Sequence, residues 1–192
     1  MTLEYAILGL LNYESLSGYD IKKTIDQTVA HFWPADQSQI YRTLSRMEAD
    51  GWVRVELVPQ QTRPSRKVYH INDTGREHLL GWLSEPIPPG EVRLAWLVQI
   101  FFAGRLPDEQ IIDLLESMAR YHRERLKRYQ QIPIENEADL EGEDPRERYF
   151  WMLTVDYGIT LARLQLNWLE AVIEQIRAKD YCLPVTWNNE LT

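Results

Sequence analysis

The stretch "DQSQIYRTLSRMEADGW", residues 36–52, decides how this chain is read. At 100° per residue, Ile40, Thr43, Leu44 and Met47 fall on one side of a helix, with Ser38, Tyr41, Arg42, Ser45 and Arg46 opposite. Asp36 is a good N-cap with Gln39 three residues on, and Gly51 can take the left-handed conformation that stops a helix. The buried stripe therefore comes with an outer face of arginine, tyrosine and serine. Such a face suits a DNA duplex: arginine forks onto guanine O6 and N7, while serine and tyrosine hydroxyls donate to phosphate. Free amides at Gln37, Ser38 and Gln39, in the first turn, favour phosphate too.

Upstream, "LEYAILGLLNY" (3–13) carries Leu3, Ile7, Leu10 and Leu11 at helical spacing. "SGYDIKKTIDQTV" (17–29) opens with a Ser17–Asp20 capping box and puts Ile21, Ile25 and Val29 on one face. Downstream of Gly51 the period changes from helical to alternating. "WVRVELV" (52–58) and "RKVYHI" (66–71) flank the polar "PQQTRPS", which predicts a hairpin. "NDTGREHLLGWL" (72–83) returns to helix, with Leu79, Leu80 and Leu83 expected inward. Three helices followed by two strands is the winged helix-turn-helix order. Arg63, Arg66 and Lys67, at the hairpin tip, would then lie over the neighbouring backbone or minor groove.

The prolines of "EPIPPGE" (85–91) cannot continue a helix and divide the chain. Residues 1–85 are read as a DNA-binding domain and 92–180 as a helical dimerisation domain, so the fold class is mainly α with a small β-hairpin wing. Helices are expected over about 92–104, about 108–131 and Pro145 to about Lys179, with an acidic loop over 133–145. In the last helix Met152, Val155, Ile159, Ala162, Leu166, Leu169, Ile173 and Ile176 occupy consecutive a and d positions. Trp151, Leu161, Leu164, Trp168 and Val172 widen that stripe beyond one seam. A small helical domain has too few elements to cover it, which predicts a homodimer.

Of the 192 residues 44% are hydrophobic and 26% charged, a globular composition. A net charge of −8 opposes nucleic-acid binding in general, yet residues 36–76 hold 7 basic against 5 acidic side chains. A DNA surface is affordable there, and only locally. No apolar run approaches the roughly 20 residues of a bilayer span and no leader is visible, so a soluble, cytoplasmic protein without a membrane partner is expected. The lone Cys182 makes neither an internal disulfide nor a thiolate zinc cluster. The histidines, at 31, 70, 78 and 122, lack ligand spacing, and no Gly-rich phosphate loop or catalytic motif is present. No enzyme activity, metal or cofactor is therefore expected. Trp33, Trp96, Phe101, Trp151 and Tyr157 are candidates to wall a pocket for a small aromatic effector, although core packing explains them equally well.

The segments "LLNYESLSGYDIKKTI", "FWPADQSQIYRTLSRMEADGWV" and "RPSRKVYHINDTG" jointly resemble the PadR-type transcriptional regulators. Their recognition helix carries a similar "YRxLxRLExxGxV" and their wing a similar "RPxRKxYxLTxxG". The second half looks like the helical dimerisation domain of the longer members. The resemblance implies a homodimeric repressor that leaves a pseudo-palindromic operator when a small molecule, in some members a phenolic acid, binds. The competing reading is a non-catalytic winged-helix module that binds other proteins.

Overall fold

The protein is described by a computed structural model over residues 2–59, 65–88, 90, 93–135 and 144–182. The chain forms two compact units, residues 1–90 and 91–192.

The first unit begins with α1 (Leu3–Tyr13), the short strand β1 (Leu16–Ser17), α2 (Gly18–Gln27) and α3 (Gln37–Ala49). The expected Ser17–Asp20 capping box opens α2, and at Asp36, the expected N-cap, Gln39 completes a second box that opens α3. Each box satisfies helix-end amides reciprocally and so fixes where its helix starts. Gly51, at φ +72°, takes the left-handed turn that releases the chain from α3. The hairpin follows as β2 (Val53–Val58) and β3 (Arg66–Ile71), then α4 (Asp73–Ser84). Val53 lies opposite Ile71 and Val58 opposite Arg66, and β1 adds a third strand by pairing Leu16 with Tyr69 and Ser17 with Val68. That third strand was not expected, because two residues carry no readable period. The hairpin tip with Arg63 lies outside the described residues.

Ile7, Leu8, Ile21, Ile25, Ile40, Leu44 and Met47 are fully buried and form one core with Leu11, Val53, Tyr69, Ile71 and Leu79. Burying such a side chain is worth roughly 1.5–3 kcal/mol, so the inner face of α3 is held firmly. One inward expectation fails. Leu79 is buried, but Leu80 and Leu83 are exposed. Gly75 touches the Trp52 carbonyl so closely that an added Cβ would sit 2.3 Å from that oxygen. That contact turns the Gly75–Leu79 face of α4 inward and leaves Leu80 and Leu83 outside.

The second unit contains α5 (Ala95–Phe102), a turn of 3-10 helix over Ala103–Arg105, α6 (Asp108–Glu135) and α7 (Pro145–Arg177). The expected acidic loop is helical at its start, since α6 runs past Pro133 to Glu135; residues 136–143 lie outside the described residues. Asp144 caps α7 by accepting from the Arg146 amide, with Pro145 in the first turn. Helices α6 and α7 run antiparallel: Glu116 meets Arg177, Arg123 meets Glu170, and the Tyr129 ring lies over Gly158.

The a/d stripe of α7 therefore has a partner inside the chain. Leu166, Leu169 and Ile173 bury against Leu115 and Ala119, with Ile176 and Val172 packed alongside; Val155 and Ala162 are buried too, and Met152 and Ile159 half-buried. Leu166, Leu169 and Ile173 already have α6 as their cover, so these three leave no open surface for the second copy that the spacing predicts. Apolar side chains left exposed on α7 are Tyr149, Phe150, Leu153, Tyr157, Leu164 and Trp168. Helix α5 has no buried residue at all, and its Phe101 is 80% exposed.

Among the described residues no helix is long and apolar enough to cross a membrane, and no group of three His, Cys, Asp or Glu side chains could hold a metal ion. His122 of α6 is buried, with Nδ1 lacking a hydrogen-bond partner. Burial, helped by the Arg125 charge, holds its pKa below the ordinary 6.5. An unfolded chain takes up the proton first as pH falls, so the stability contributed by neutral His122 is complete above about 6.5 and is lost below it. Thermal unfolding at pH 7.5 and 5.5 should show a loss of stability in the wild type that His122→Leu largely removes.

Candidate nucleic-acid interface

Helices α2 and α3 form the helix-turn-helix, and the buried inner face of α3 dictates what points away from the protein. Gln37, Ser38, Tyr41, Arg42, Ser45 and Arg46 are all exposed, as are Arg66 and Lys67 on the first residues of β3. The α3 residues thus share one surface, as the helical spacing predicts.

Most of these side chains have partners within the protein. Tyr41 lies with its ring against Gly18, at the start of α2, where an added Cβ would come within 2.6 Å of Cε1. Its ring is thus braced, while the side chain stays 41% exposed. Ser38 donates its hydroxyl to Asp36 Oδ1 at 2.6 Å, and the Gln39 amide donates to the same oxygen at 2.8 Å. These bonds, from Ser38 first, hold the Asp36 carboxyl below its ordinary pKa. The first turn of α3 therefore already carries a carboxylate, which corrects the expectation that the Gln39 amide is free for phosphate. Arg42 donates Nε to the Ser38 carbonyl at 3.4 Å.

Three further cations meet carboxylates that sequence reasoning missed. Arg46 lies 3.1 Å from Glu4, a buried acid of α1. Arg66 is hydrogen-bonded to the Asp20 carboxylate, and Lys67 lies 3.5 Å from Glu48 near the end of α3. Asp20 does double duty, since it also accepts from the Ser17 amide and hydroxyl in the α2 capping box. Burial works against its charge, but the Ser17 bonds and Arg66 outweigh it and its pKa falls below the usual value. The partners come from different elements, so no local sequence signal pairs them.

Of the aromatic candidates, Trp33 lines a groove of about 470 Å³ between the start of α1 and α3, beside Glu4, Arg42 and Arg46. Trp96 meets Trp168 edge-on at 6.0 Å, and Phe101 meets Phe102 at 5.0 Å. Trp151 is half-buried and Tyr157 exposed on α7. Trp33 belongs to the first unit, the other four to the second.

A three-helix core, a β-wing and an outward polar recognition face define a winged-helix protein with an appended helical unit. The model of the transcriptional regulator PadR-like family matches residues 7–80, and that of the virulence activator alpha C-terminal region matches residues 92–177. The chain is 28% identical to the negative transcriptional regulator PadR of Bacillus subtilis over 180 residues, 91% of this chain and 97% of that one. A crystal structure of that regulator in complex with operator DNA superposes with a TM-score of 0.79 at 27% identity, covering 92% of this chain and 99% of the other. Its complex with p-coumaric acid gives 0.77 at 26% identity, with the same coverage. Rv1176c of Mycobacterium tuberculosis, described as a probable transcriptional regulator, is 45% identical over 89 residues, 46% of this chain and 47% of that one. Residues 7–80 thus carry a PadR-like domain of transcriptional regulators, and over most of its length the chain is similar to the Bacillus subtilis regulator.

The Tyr41–Gly18 contact is open to a direct test. Gly18→Ala should cost about 1–3 kcal/mol of stability by striking the ring. In a Tyr41→Ala background the penalty should vanish, because the struck atoms are gone; urea unfolding of the four variants in the cycle measures this.

Proposed function

We propose that this protein is a homodimeric, sequence-specific repressor that places α3 in the DNA major groove and is released by a small aromatic effector. The observation that carries the reading is the face of α3. Its apolar side is fully buried, so Tyr41, Arg42 and Ser45 are presented outward from a rigid helix, where direct base readout needs them. Gln37, Ser38 and Arg46 flank them as backbone contacts, and Arg66 and Lys67, with Arg63, reach the adjacent phosphates. The operator complex of the Bacillus subtilis relative supports this docking, and the p-coumaric acid complex of the same protein supports an aromatic effector.

In a two-fold dimer the recognition helices would enter successive grooves, so the operator is a pseudo-palindrome with half-sites about one turn, roughly 10 bp, or a multiple apart. The apolar side chains left exposed on α5 and α7 support a second copy as their cover, since exposed apolar patches mark interaction surfaces. An effector that changes the spacing of the two α3 helices would lower affinity by mismatching them to the groove repeat. Trp96, Phe101, Trp151 and Tyr157, all of the second unit, are the aromatic residues proposed to meet it. The protein works without catalysis, in the compartment that holds the DNA.

A gel shift or fluorescence titration with the DNA upstream of its own gene tests the assignment. Arg42→Ala should weaken binding by about 1–3 kcal/mol and relax the sequence preference, whereas Lys67→Ala should weaken all sequences alike and reduce the salt slope by about 1. Unchanged affinity in both variants, or indifference of the wild type to any duplex at low salt, would refute it and favour the protein-binding module.

A further inference from the structure

We propose that Asp20 and Glu48, with Glu4, are built-in competitors of the DNA phosphates that hold operator affinity down. This rests on the DNA-binding reading above and names a regulation of that same surface. Three cations of the proposed interface each face a carboxylate from a different helix: Arg46 faces Glu4 of α1, Arg66 faces Asp20 of α2, and Lys67 faces Glu48 of α3. In the docking proposed above, phosphates would call on these same cations. A guanidinium or ammonium that forks onto a carboxylate presents the same donors to a phosphate, so the two acceptors exclude one another at each cation.

The unbound surface is consequently close to neutral despite its arginines. A docking duplex must displace each carboxylate and leave it, now unpaired, facing a polyanion. That cost falls on every DNA sequence. It lowers affinity overall, and the net positive charge brought to the interface, which sets the salt slope, is smaller than the count of arginines and lysines suggests. The three pairs are not equally testable. Glu4 is buried and Asp20 also caps α2, whereas Glu48 lies on the exposed side near the end of α3 and makes the cleanest probe.

The experiment measures binding of the full-length chain to an operator duplex and to an unrelated duplex of equal length, from 50 to 300 mM salt. Glu48→Gln and Asp20→Asn are compared with the wild type. Glu124→Gln, on α6, makes the same one-charge change in the other unit, and thermal melts confirm that every variant folds. Asp20→Asn keeps a side-chain oxygen for the Ser17 bonds, so the α2 cap survives. Glu48→Gln should tighten both duplexes by about two- to fivefold at 100 mM salt, the range of an exposed ion pair. It should steepen the slope of log K against log salt by about 0.9, while Glu124→Gln leaves both unchanged. Asp20→Asn should shift affinity and slope in the same direction, and the double variant should add the two. If the wild type binds DNA but Glu48→Gln and Asp20→Asn match the Glu124→Gln control, or bind more weakly, the carboxylates are spectators or braces for the wing and the proposal fails alone. If the wild type binds no duplex, the reading beneath it fails first.

Discussion

Burial of Ile40, Leu44 and Met47 leaves α3 no freedom to turn about its own axis. The 100° spacing does the rest: once those three side chains are committed to the core, Tyr41, Arg42 and Ser45 must point outward. The Asp36–Gln39 capping box sets the axial position of the same helix, and Gly51 ends it so that β2 begins two residues later. The wing is tied to this frame from outside the sheet, because Arg66 of β3 reaches the carboxylate that also caps α2. One carboxyl group thus couples the position of the wing to the start of the helix on which Tyr41 leans.

What could be read from the sequence was whatever depends on neighbours in the chain. Capping boxes span four residues, a helical stripe two or three turns, and a hairpin its own alternation, so α1 to α3 and the two long strands were legible at nearly their observed bounds. Leu79, Leu80 and Leu83 show the limit of that logic. Three leucines within five positions cannot all lie at the centre of one face, and the choice among them was made by a glycine meeting the Trp52 carbonyl across the fold. β1 escaped because two residues have no period. The pairs Glu4–Arg46, Asp20–Arg66 and Glu48–Lys67 escaped because charge complementarity acts through space between helices and strands whose packing must already be known.

Charge patterning makes the same point from the other side. A chain of net charge −8 is a poor polyanion ligand on average, and even residues 36–76 carry only a small basic excess, 7 basic against 5 acidic side chains. Several of those cations have carboxylates within reach, so a face with this balance exerts little long-range pull. It would rely on short-range hydrogen bonds made only when the groove fits, which suits a regulator that must ignore most of the DNA it meets.

The long apolar stripe of α7 was wider than one seam, and the structure explains the width by dividing it. Leu166, Leu169 and Ile173 face α6, where Leu115 and Ala119 close over them. Leu153, Tyr157, Leu164 and Trp168 recur at spacings of four, seven and four, which is again one helical face, and they remain exposed. Helical periodicity reports that a stripe must be covered; it does not say by what. With α6 accounting for the first face, the argument for a second copy passes to the second face and to α5, whose residues are all at least partly open to solvent. The proposal of a dimer therefore does not depend on Leu166, Leu169 and Ile173, because what calls for a partner is the apolar surface left open and not any single seam.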